Sequence, residues 1–507
     1  MITGIDLGTT FSLISALQKD GTPTLLPDNT FRDLFSTPSA IHINDNNAVV
    51  GYMVDNLVEE NPNLKVVRFF KRQFGTGEYV YYDQYGNGWL AETLGALILK
   101  KLKFDAENHT GLSLEKTVIT VPSHFDDVQR KAVINAAAMA DIPLLGLIEE
   151  PVAAALHYGV QSGESDKVMV VYDLGGGTFD ATVLSMDASG VYVLAKDGLT
   201  ELGGKEFDEA IAEMILDQFH KTHGAPLPMN SLTMLQLRRI SEEIKIELSI
   251  PTKTYLTKTI LIGNQALGIN IYRRDFEAAI RSMIEQTIEV TMRCIDGAGL
   301  KETDVDALML VGGSSMIPYI RERLSKLFSV TQDKLFFHEP MKAVAFGASI
   351  HAAQLSGDAS NFNIPPEFRG VTGYNIGIQT MNPRTGKIEF DCLIRKNMPL
   401  PARAKRTYFT TSAQQTKIRL QVVQYDETET RIKQIGELVI GPIPNPQANY
   451  PVEVILENAN DGTVKVVAFD PETGIELEQS FGVNSEDRNS VLLQQKNLVN
   501  NIYINNL

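Results

Sequence analysis

Cysteine is nearly absent: two residues, Cys294 and Cys392, in a chain of 507. Two cysteines cannot form a disulfide framework, and there is no Cys-x-x-Cys pair to hold a metal or run a redox cycle. Histidine is sparse too, and the 8 histidines show no metal-ligand spacing, which removes a zinc site from consideration. Positive charge is in deficit. Lys and Arg number 46 against 62 Asp and Glu, for a net charge of −16, so a basic face for nucleic acid or for an anionic membrane surface is not expected. No run of about 18 apolar residues exists to span a bilayer. The opening residues, Met1-Ile2-Thr3-Gly4-Ile5-Asp6, lack the basic-then-apolar pattern of a secretory signal. These absences together point to a cytoplasmic chain with neither nucleic acid nor membrane as partner.

What is present is ordinary globular composition: 43% apolar and 21% charged residues. The length exceeds the ~250–300 residues at which one core stops growing, so more than one domain is expected. Residues 1–355 alternate short apolar runs with helical patterns. Thr117–Val121, Val168–Tyr172 and Ala307–Val311 read as buried strands, and Val128–Ala140 and Phe276–Ile295 as amphipathic helices. That alternation predicts an α/β architecture with buried sheets. Residues 356–370 carry Gly, Asp, Ser, Asn and the pair Pro365-Pro366, and read as a linker. Over residues 371–484 the period changes. Lys387–Ile394, Lys405–Thr411, Ile418–Tyr425, Val452–Leu456 and Thr463–Phe469 alternate in twos, separated by turns at Asn382–Gly386, Asp461-Gly462 and Pro471–Gly474. An antiparallel β-sandwich follows from that spacing. Residues 485–507, rich in Asn and Gln, leave room for one short helix with a fraying end.

One element occurs twice in the α/β region. Ile5-Asp6-Leu7-Gly8-Thr9-Thr10 follows one strand, and Tyr172-Asp173-Leu174-Gly175-Gly176-Gly177-Thr178 follows another. Glycine lets backbone N–H groups approach phosphate oxygens, threonine adds hydroxyl donors, and an Asp at a strand end can hold Mg²⁺ through water. Either loop alone reads equally as a hairpin turn; the repetition favours two similar lobes facing across a phosphate cleft. A third glycine site, Val311-Gly312-Gly313-Ser314-Ser315, could lie flat against an adenosine or be only a tight strand-to-helix turn.

The order of these sites resembles the actin, sugar kinase and heat-shock ATPase superfamily. Further stretches narrow the resemblance: Val121-Pro122-Ser123-His124-Phe125-Asp126-Asp127-Val128-Gln129-Arg130, Glu149-Glu150-Pro151-Val152-Ala153-Ala154-Ala155, Thr37-Pro38-Ser39, Leu202-Gly203-Gly204-Lys205-Glu206-Phe207-Asp208, Ile376-Gly377-Ile378-Gln379-Thr380 and Leu393-Ile394-Arg395-Lys396-Asn397. On these the chain is similar, over nearly its whole length, to the seventy-kilodalton heat-shock chaperones of the DnaK type. The resemblance implies a two-lobed actin-like ATPase domain (1–355), a linker (356–370), a β-sandwich peptide-binding domain (371–484) and a vestigial or truncated lid helix (485–507).

Carried over residue by residue, the resemblance implies ATP or ADP with Mg²⁺ between the lobes, with K⁺ as a further candidate. Asp6 and Asp173 match the metal-organising residues; Gly8, Thr9, Thr10, Gly175, Gly176, Gly177, Thr178, Gly203 and Gly204 match the phosphate loops. Lys71 matches a lysine that reaches the γ-phosphate, though alone it reads as a solvated lysine. Glu150 and Asp180 match carboxylates that position water and ions; Glu150 alone reads as a first-turn carboxylate. Glu242, Lys245 and Ser249 match a ribose and adenine helix, and Gly312, Gly313 and Ser314 an adenosine turn. In the sandwich, Ile378, Thr380, Phe409, Ile418 and Leu420 match a peptide site, with Met381 and Ser412 arching over it; on pattern alone its apolar residues read as core. The implied partners are unfolded apolar peptides, a J-domain co-chaperone and a nucleotide-exchange factor.

The sequence departs from the family pattern at five places. The linker stretch Ile364–Gly370 lacks the leucines that follow an acidic residue in the family and couple the domains. Met316 and Met341 replace an arginine and an aspartate near adenine. Gly146, Glu149 and Val152 replace the Arg, Asn and Thr of the J-domain face, reversing its charge. The stretch from Gly75 to Thr93 is short, and little remains of a lid. The best placement is a compact bacterial branch with a reduced lid (HscC-like). Rival readings are a nucleotide- and peptide-binding module without coupling, a small-molecule kinase of the same superfamily, and an actin-like filament protein.

Overall fold

The computed structural model describes residues 1–61, 63–162, 167–187, 190–328, 335–336, 340–357, 367–381, 385–425, 432–443, 446–459, 463–481 and 486–505. Most of the expected linker (358–366) and the turn residues 382–384 and 461–462 lie outside them.

Helices α1 (Tyr52–Glu60), α2 (Ala91–Thr110), α3 (Asp127–Met139), α4 (Glu150–Ser162), α5 (Gly204–His223), α6 (Ser231–Ser249), α7 (Arg273–Gly297), α8 (Pro318–Phe328) and α9 (Ala343–Leu355) surround two six-stranded sheets. The first sheet runs Leu144–Glu149, Lys116–Val121, Ile2–Asp6, Phe11–Leu17, Pro23–Leu25, with Ser36–Pro38 as a sixth strand that also pairs with Phe11–Leu17. The second runs Leu335–Phe336, Ala307–Val311, Lys167–Leu174, Phe179–Asp187, Gly190–Leu199. In both, parallel strands lead to an Asp-bearing strand, whose antiparallel hairpin partner follows it. The repeat in sequence is thus a repeat in topology. The central strands Lys167–Leu174 and Ala307–Val311 of the second sheet are buried on both faces and are accordingly near-continuous apolar runs. Local signals set the helix starts. Asp126 caps α3 by accepting from the Gln129 N–H, with the Gln129 side chain returning to the Asp126 N–H, and Asn230 and Thr233 do the same for α6.

Glu367–Arg369 pairs in parallel with the start of Gly190–Leu199, at Gly190–Tyr192, and adds the sixth strand of the second sheet. The final part of the expected linker is therefore an edge strand, docked through backbone hydrogen bonds that need no leucines.

The later strands form two antiparallel four-stranded sheets. One is Ile388–Ile394, Asn375–Met381, Ile418–Tyr425, Ile432–Ile440; the other is Ala402–Phe409, Pro451–Asn458, Val464–Phe469, Glu476–Phe481. They share one core, in which Ile376 and Val422 meet Val452 and Val466. The alternation does not mark Ile432–Ile440 or Glu476–Phe481, whose faces are largely exposed or only half-buried. This β region rests on the α/β region through polar contacts: Gln424 donates to Asp127 (2.8 Å), Lys433 pairs with Asp126, Tyr374 donates to the His124 carbonyl, and Lys396 reaches Asp197 (3.3 Å).

Residues 485–507 were expected to be a lid remnant with a fraying end. Helix α10 (Glu486–Asn501) instead packs against α2 and α3 of the first half, and Tyr503–Asn505 pairs in parallel with Asn47–Val50. The cause is a compact set of contacts. Val499 and Ile502 are buried in the first core, and the 1%-exposed Gln495 accepts from Thr93 Oγ1 (2.6 Å) and donates to the Gly88 carbonyl (2.9 Å). Lys100 Nζ closes the turn on the carbonyls of Val499 (3.0 Å) and Ile502 (2.7 Å). Among the described residues no helix is long and apolar enough to cross a membrane.

Candidate functional site

The two hairpins meet. A Cβ on Gly176 would lie 2.1 Å from Thr10 Oγ1, and one on Gly177 would lie 2.6 Å from Thr9 Cγ2, so only glycine permits this approach. Each hairpin is braced from behind. In the first, Ser12 Oγ accepts from the Gly8 N–H (3.1 Å), and Ser39 Oγ donates to the Gly8 carbonyl (2.8 Å). In the second, the N–H groups of Gly204 and Lys205 donate to the carbonyls of Gly175 and Gly176 (both 2.9 Å), and Ser314 Oγ donates to Gly175 (2.9 Å). Gly312 sits at φ +77, where an added Cβ would also meet the Leu174 carbonyl.

Between them opens a cavity of about 320 Å³. Of the expected nucleotide and catalytic residues, Asp6, Gly8, Thr9, Thr10, Lys71, Glu150, Asp173, Gly175, Gly176, Thr178, Gly204, Glu242, Lys245, Gly312, Gly313 and Ser314 line it. Residues far apart in the chain thus converge.

Four expected residues do not line it. Gly177 and Gly203 lie behind the wall and shape it. Ser249 Oγ donates to the Lys245 carbonyl within α6 (2.7 Å). Asp180, expected beside a phosphate, stands opposite Asp173 in the strand register but turns to Ser123 and His124, accepting from the Ser123 hydroxyl, the His124 N–H (3.2 Å) and His124 Nδ1 (2.9 Å). Burial raises its carboxyl, but the His124 charge and these donors outweigh it and hold it below the ordinary range. All three bonds fall on Oδ1.

One end of the cavity is charged. Lys71, 3% exposed, donates to Glu150 Oε1 at 2.8 Å. Burial, then the neighbouring Glu150 carboxylate, pushes Asp6 up to about 7, against the pull of Lys71 and a hydrogen bond from Thr120. The same two influences, with Asp180 and Asp6 added, raise Asp173 well above the ordinary range. Three carboxylates thus crowd one ammonium, an arrangement that a cation would relieve. Among the described residues no cluster of three or more His, Cys, Asp or Glu forms a protein-only metal cage. Asp6 and Asp173 fit a Mg²⁺ ion that takes its other ligands from phosphate and water. The glycine hairpins fit the phosphates.

The sequence reading assigned no role to Arg72, Glu206 or Asp208. Arg72 forks onto Glu206 with bonds of 2.7 and 2.9 Å, and Glu206 also accepts from the Gly203 N–H at 2.8 Å. This bidentate pair joins the two halves over the second hairpin. Lys245 pairs with Asp208 (2.8 Å), whose carboxyl burial lifts to about 6. Their positions inside Leu202–Asp208 and beside Lys71 were the available signal.

In the β region the expected peptide residues separate. Ile378, Ile418 and Leu420 are 1%, 7% and 2% exposed and belong to the shared core. Phe409 is exposed, Ser412 is exposed and Thr380 half-buried; the Met381 side chain lies outside the described residues. Glu149, expected to reverse the charge of a partner-facing surface, is buried between Arg130 (2.6 Å) and Lys196, which neutralise it internally.

A family model described as Hsp70 protein matches residues 2–84 and 76–497 of the chain.

Proposed function

Since the chain belongs to the Hsp70 family of chaperones, we propose that it is an ATP-dependent chaperone, a two-lobed actin-like ATPase domain followed by a β-sandwich domain that holds unfolded apolar peptide. The observation that carries this reading is the meeting of two glycine hairpins over a cavity whose end holds the buried Lys71–Glu150 pair.

Phosphoryl transfer needs positioning and neutralisation of charge more than covalent chemistry. The hairpin N–H groups and the hydroxyls of Thr9, Thr10 and Thr178 would hold the phosphate oxygens. Lys71 supplies a buried ammonium for charge developing on the transferred group. Glu150 fixes Lys71 and offers its carboxylate to orient the attacking water. Mg²⁺, held at Asp6 and Asp173, would neutralise phosphate charge. Arg72–Glu206 keeps the halves closed during the step. Glu367–Arg369, continuing the second sheet toward the sandwich, is the route by which nucleotide state would reach the peptide grip. Co-chaperones are proposed partners, with the J-domain contact altered by the burial of Glu149.

Single-turnover ATP hydrolysis, with and without excess unfolded apolar peptide, tests the proposal. Acceleration by peptide supports coupled chaperone action. Hydrolysis at one rate beside detectable peptide binding makes the protein an uncoupled module. Phosphate release that requires an added hydroxyl acceptor makes it a kinase.

A further inference from the structure

The turn that carries Lys71 is short, and its entry is strained. Phe70–Gln73 is a single 3₁₀ turn. The residue before it, Phe69, sits at φ 58, a left-handed conformation that a bulky residue keeps only where its surroundings impose it. The turn is braced on both sides by elements that the far end of the chain completes.

On the exit side, the Phe74 N–H donates to the Lys71 carbonyl (3.1 Å). The buried Phe74 ring lies against α2 at Gly95, where an added Cβ would stand 2.5 Å from its Cζ. Two residues earlier on α2, Thr93 Oγ1 donates to Gln495 Oε1 (2.6 Å). The same oxygen accepts from the Leu90 N–H (3.3 Å), and Gln495 Nε2 donates to the Gly88 carbonyl (2.9 Å). One side chain of α10 thus fastens the start of α2, and α2 holds the residue that closes the Lys71 turn.

On the entry side stands a four-stranded sheet in the order Tyr503–Asn505, Asn47–Val50, Ala40–Asn44, Val67–Arg68. Ile41 pairs with Val50 on one side and with Val67 on the other. The last strand leads directly into Phe69. Val499 and Ile502 lie in the same apolar core as Phe70 and Phe74. The end of the chain therefore forms one edge of a sheet whose opposite edge delivers Lys71.

The geometry points to the C-terminal segment as a clasp that positions Lys71 against the transferring phosphate, with Gln495 as the positioning residue through which it acts. This rests on the ATPase reading above and adds a regulation to it: hydrolysis requires the docked segment. Misplacing a reacting group by about 1 Å costs up to about 10²-fold in rate. The second glycine hairpin is braced by Gly204, Lys205 and Ser314, in the other half of the α/β region. Nucleotide affinity should accordingly survive where rate does not.

The test measures single-turnover hydrolysis and Mg²⁺–ATP affinity on the full chain and on Gln495→Ala, Thr93→Val and Thr93→Ser. Gln495→Ala and Thr93→Val should each lower the rate by about ten-fold to 10²-fold while affinity stays within about three-fold. Thr93→Ser keeps the hydroxyl and should keep the rate. Thr93→Val preserves side-chain shape inside α2, so it carries the test even where Gln495→Ala fails to fold. Each substitution is repeated in Lys71→Ala, where the further loss should vanish because the group it positions is gone. An unchanged rate in Gln495→Ala and Thr93→Val, beside a slow Lys71→Ala, overturns the clasp and leaves the ATPase reading standing. An equal loss with and without Lys71, or affinity falling in step with rate, marks general support of the fold and overturns it too. An unsubstituted chain that hydrolyses no ATP overturns the ATPase reading, and the clasp with it.

Discussion

The cleft and the β region were approached with the same resemblance, yet their residues part ways. In the cleft, glycines, threonines and charged groups drawn from Asp6 to Ser314 line one cavity. In the β region, Ile378, Ile418 and Leu420 turn into the shared core, leaving Phe409 outside. The difference lies in the residue types. A buried lysine beside three carboxylates, or a glycine that admits no Cβ, has few structural excuses. An isoleucine at alternate strand positions has an ordinary one: it fills the sandwich.

Substitutions can break this comparison. Leu420→Ala comes first. As a core residue it should cost about 2–5 kcal/mol of β-region stability, seen in denaturant unfolding. A variant of unchanged stability that loses peptide affinity would return Leu420 to the binding surface. Lys71→Ala is next, with single-turnover hydrolysis expected to fall by about 10²–10³-fold while nucleotide binding persists. Unchanged turnover removes Lys71 from the mechanism. Gly8→Ala would drive a Cβ to 1.9 Å from the Phe11 carbonyl. The hairpin must then move, at a cost of about 2–3 kcal/mol in thermal stability and a measurable loss of nucleotide affinity.

A subtler effect lies between the two regions. Burial against the β region pushes the Asp127 carboxyl up to about 7, with Asp126 adding to it and Arg130, Lys196 and Lys433 opposing it. A raised carboxyl binds its proton more tightly in the docked state. Docking should therefore weaken as pH rises through 7 and strengthen as pH falls toward the ordinary carboxyl value, by at most about ten-fold per pH unit for one proton. Hydrogen exchange at Gln424 and Tyr374 across that range would report it, and Asp127→Asn should flatten the profile. Last, Phe409→Ala should change stability by no more than about 0.5 kcal/mol; if peptide affinity also stays constant, the exposed face around it is not the grip.

Much of the α/β region was legible because its signals are local and repeated: the Asp–Gly–Thr hairpins, apolar strands and capped helices appear in linear order. The cleft was legible for the same reason. The anchoring of Asp180 was not legible: its strand position sets it opposite Asp173, and only the fold brings Ser123 and His124 onto its Oδ1. Arg72–Glu206 and Glu149–Arg130 were hidden because each joins residues distant in sequence. The docking of Gln495 was hidden in a polar, asparagine-rich stretch whose pattern says little about where it lands.

That last contact carries a consequence for the making of the protein. Strand Asn47–Val50 is translated early, while its partner Tyr503–Asn505 is translated hundreds of residues later. The slot for Gln495 among Gly88, Leu90 and Thr93 stays unfilled for the same interval. The ribosome adds about 5–20 residues per second, so this sheet edge waits tens of seconds, open to other strands, before its own chain returns to cover it. A chaperone of this build is itself a slow, long-range folding problem, and its first half is an obvious client for another chaperone.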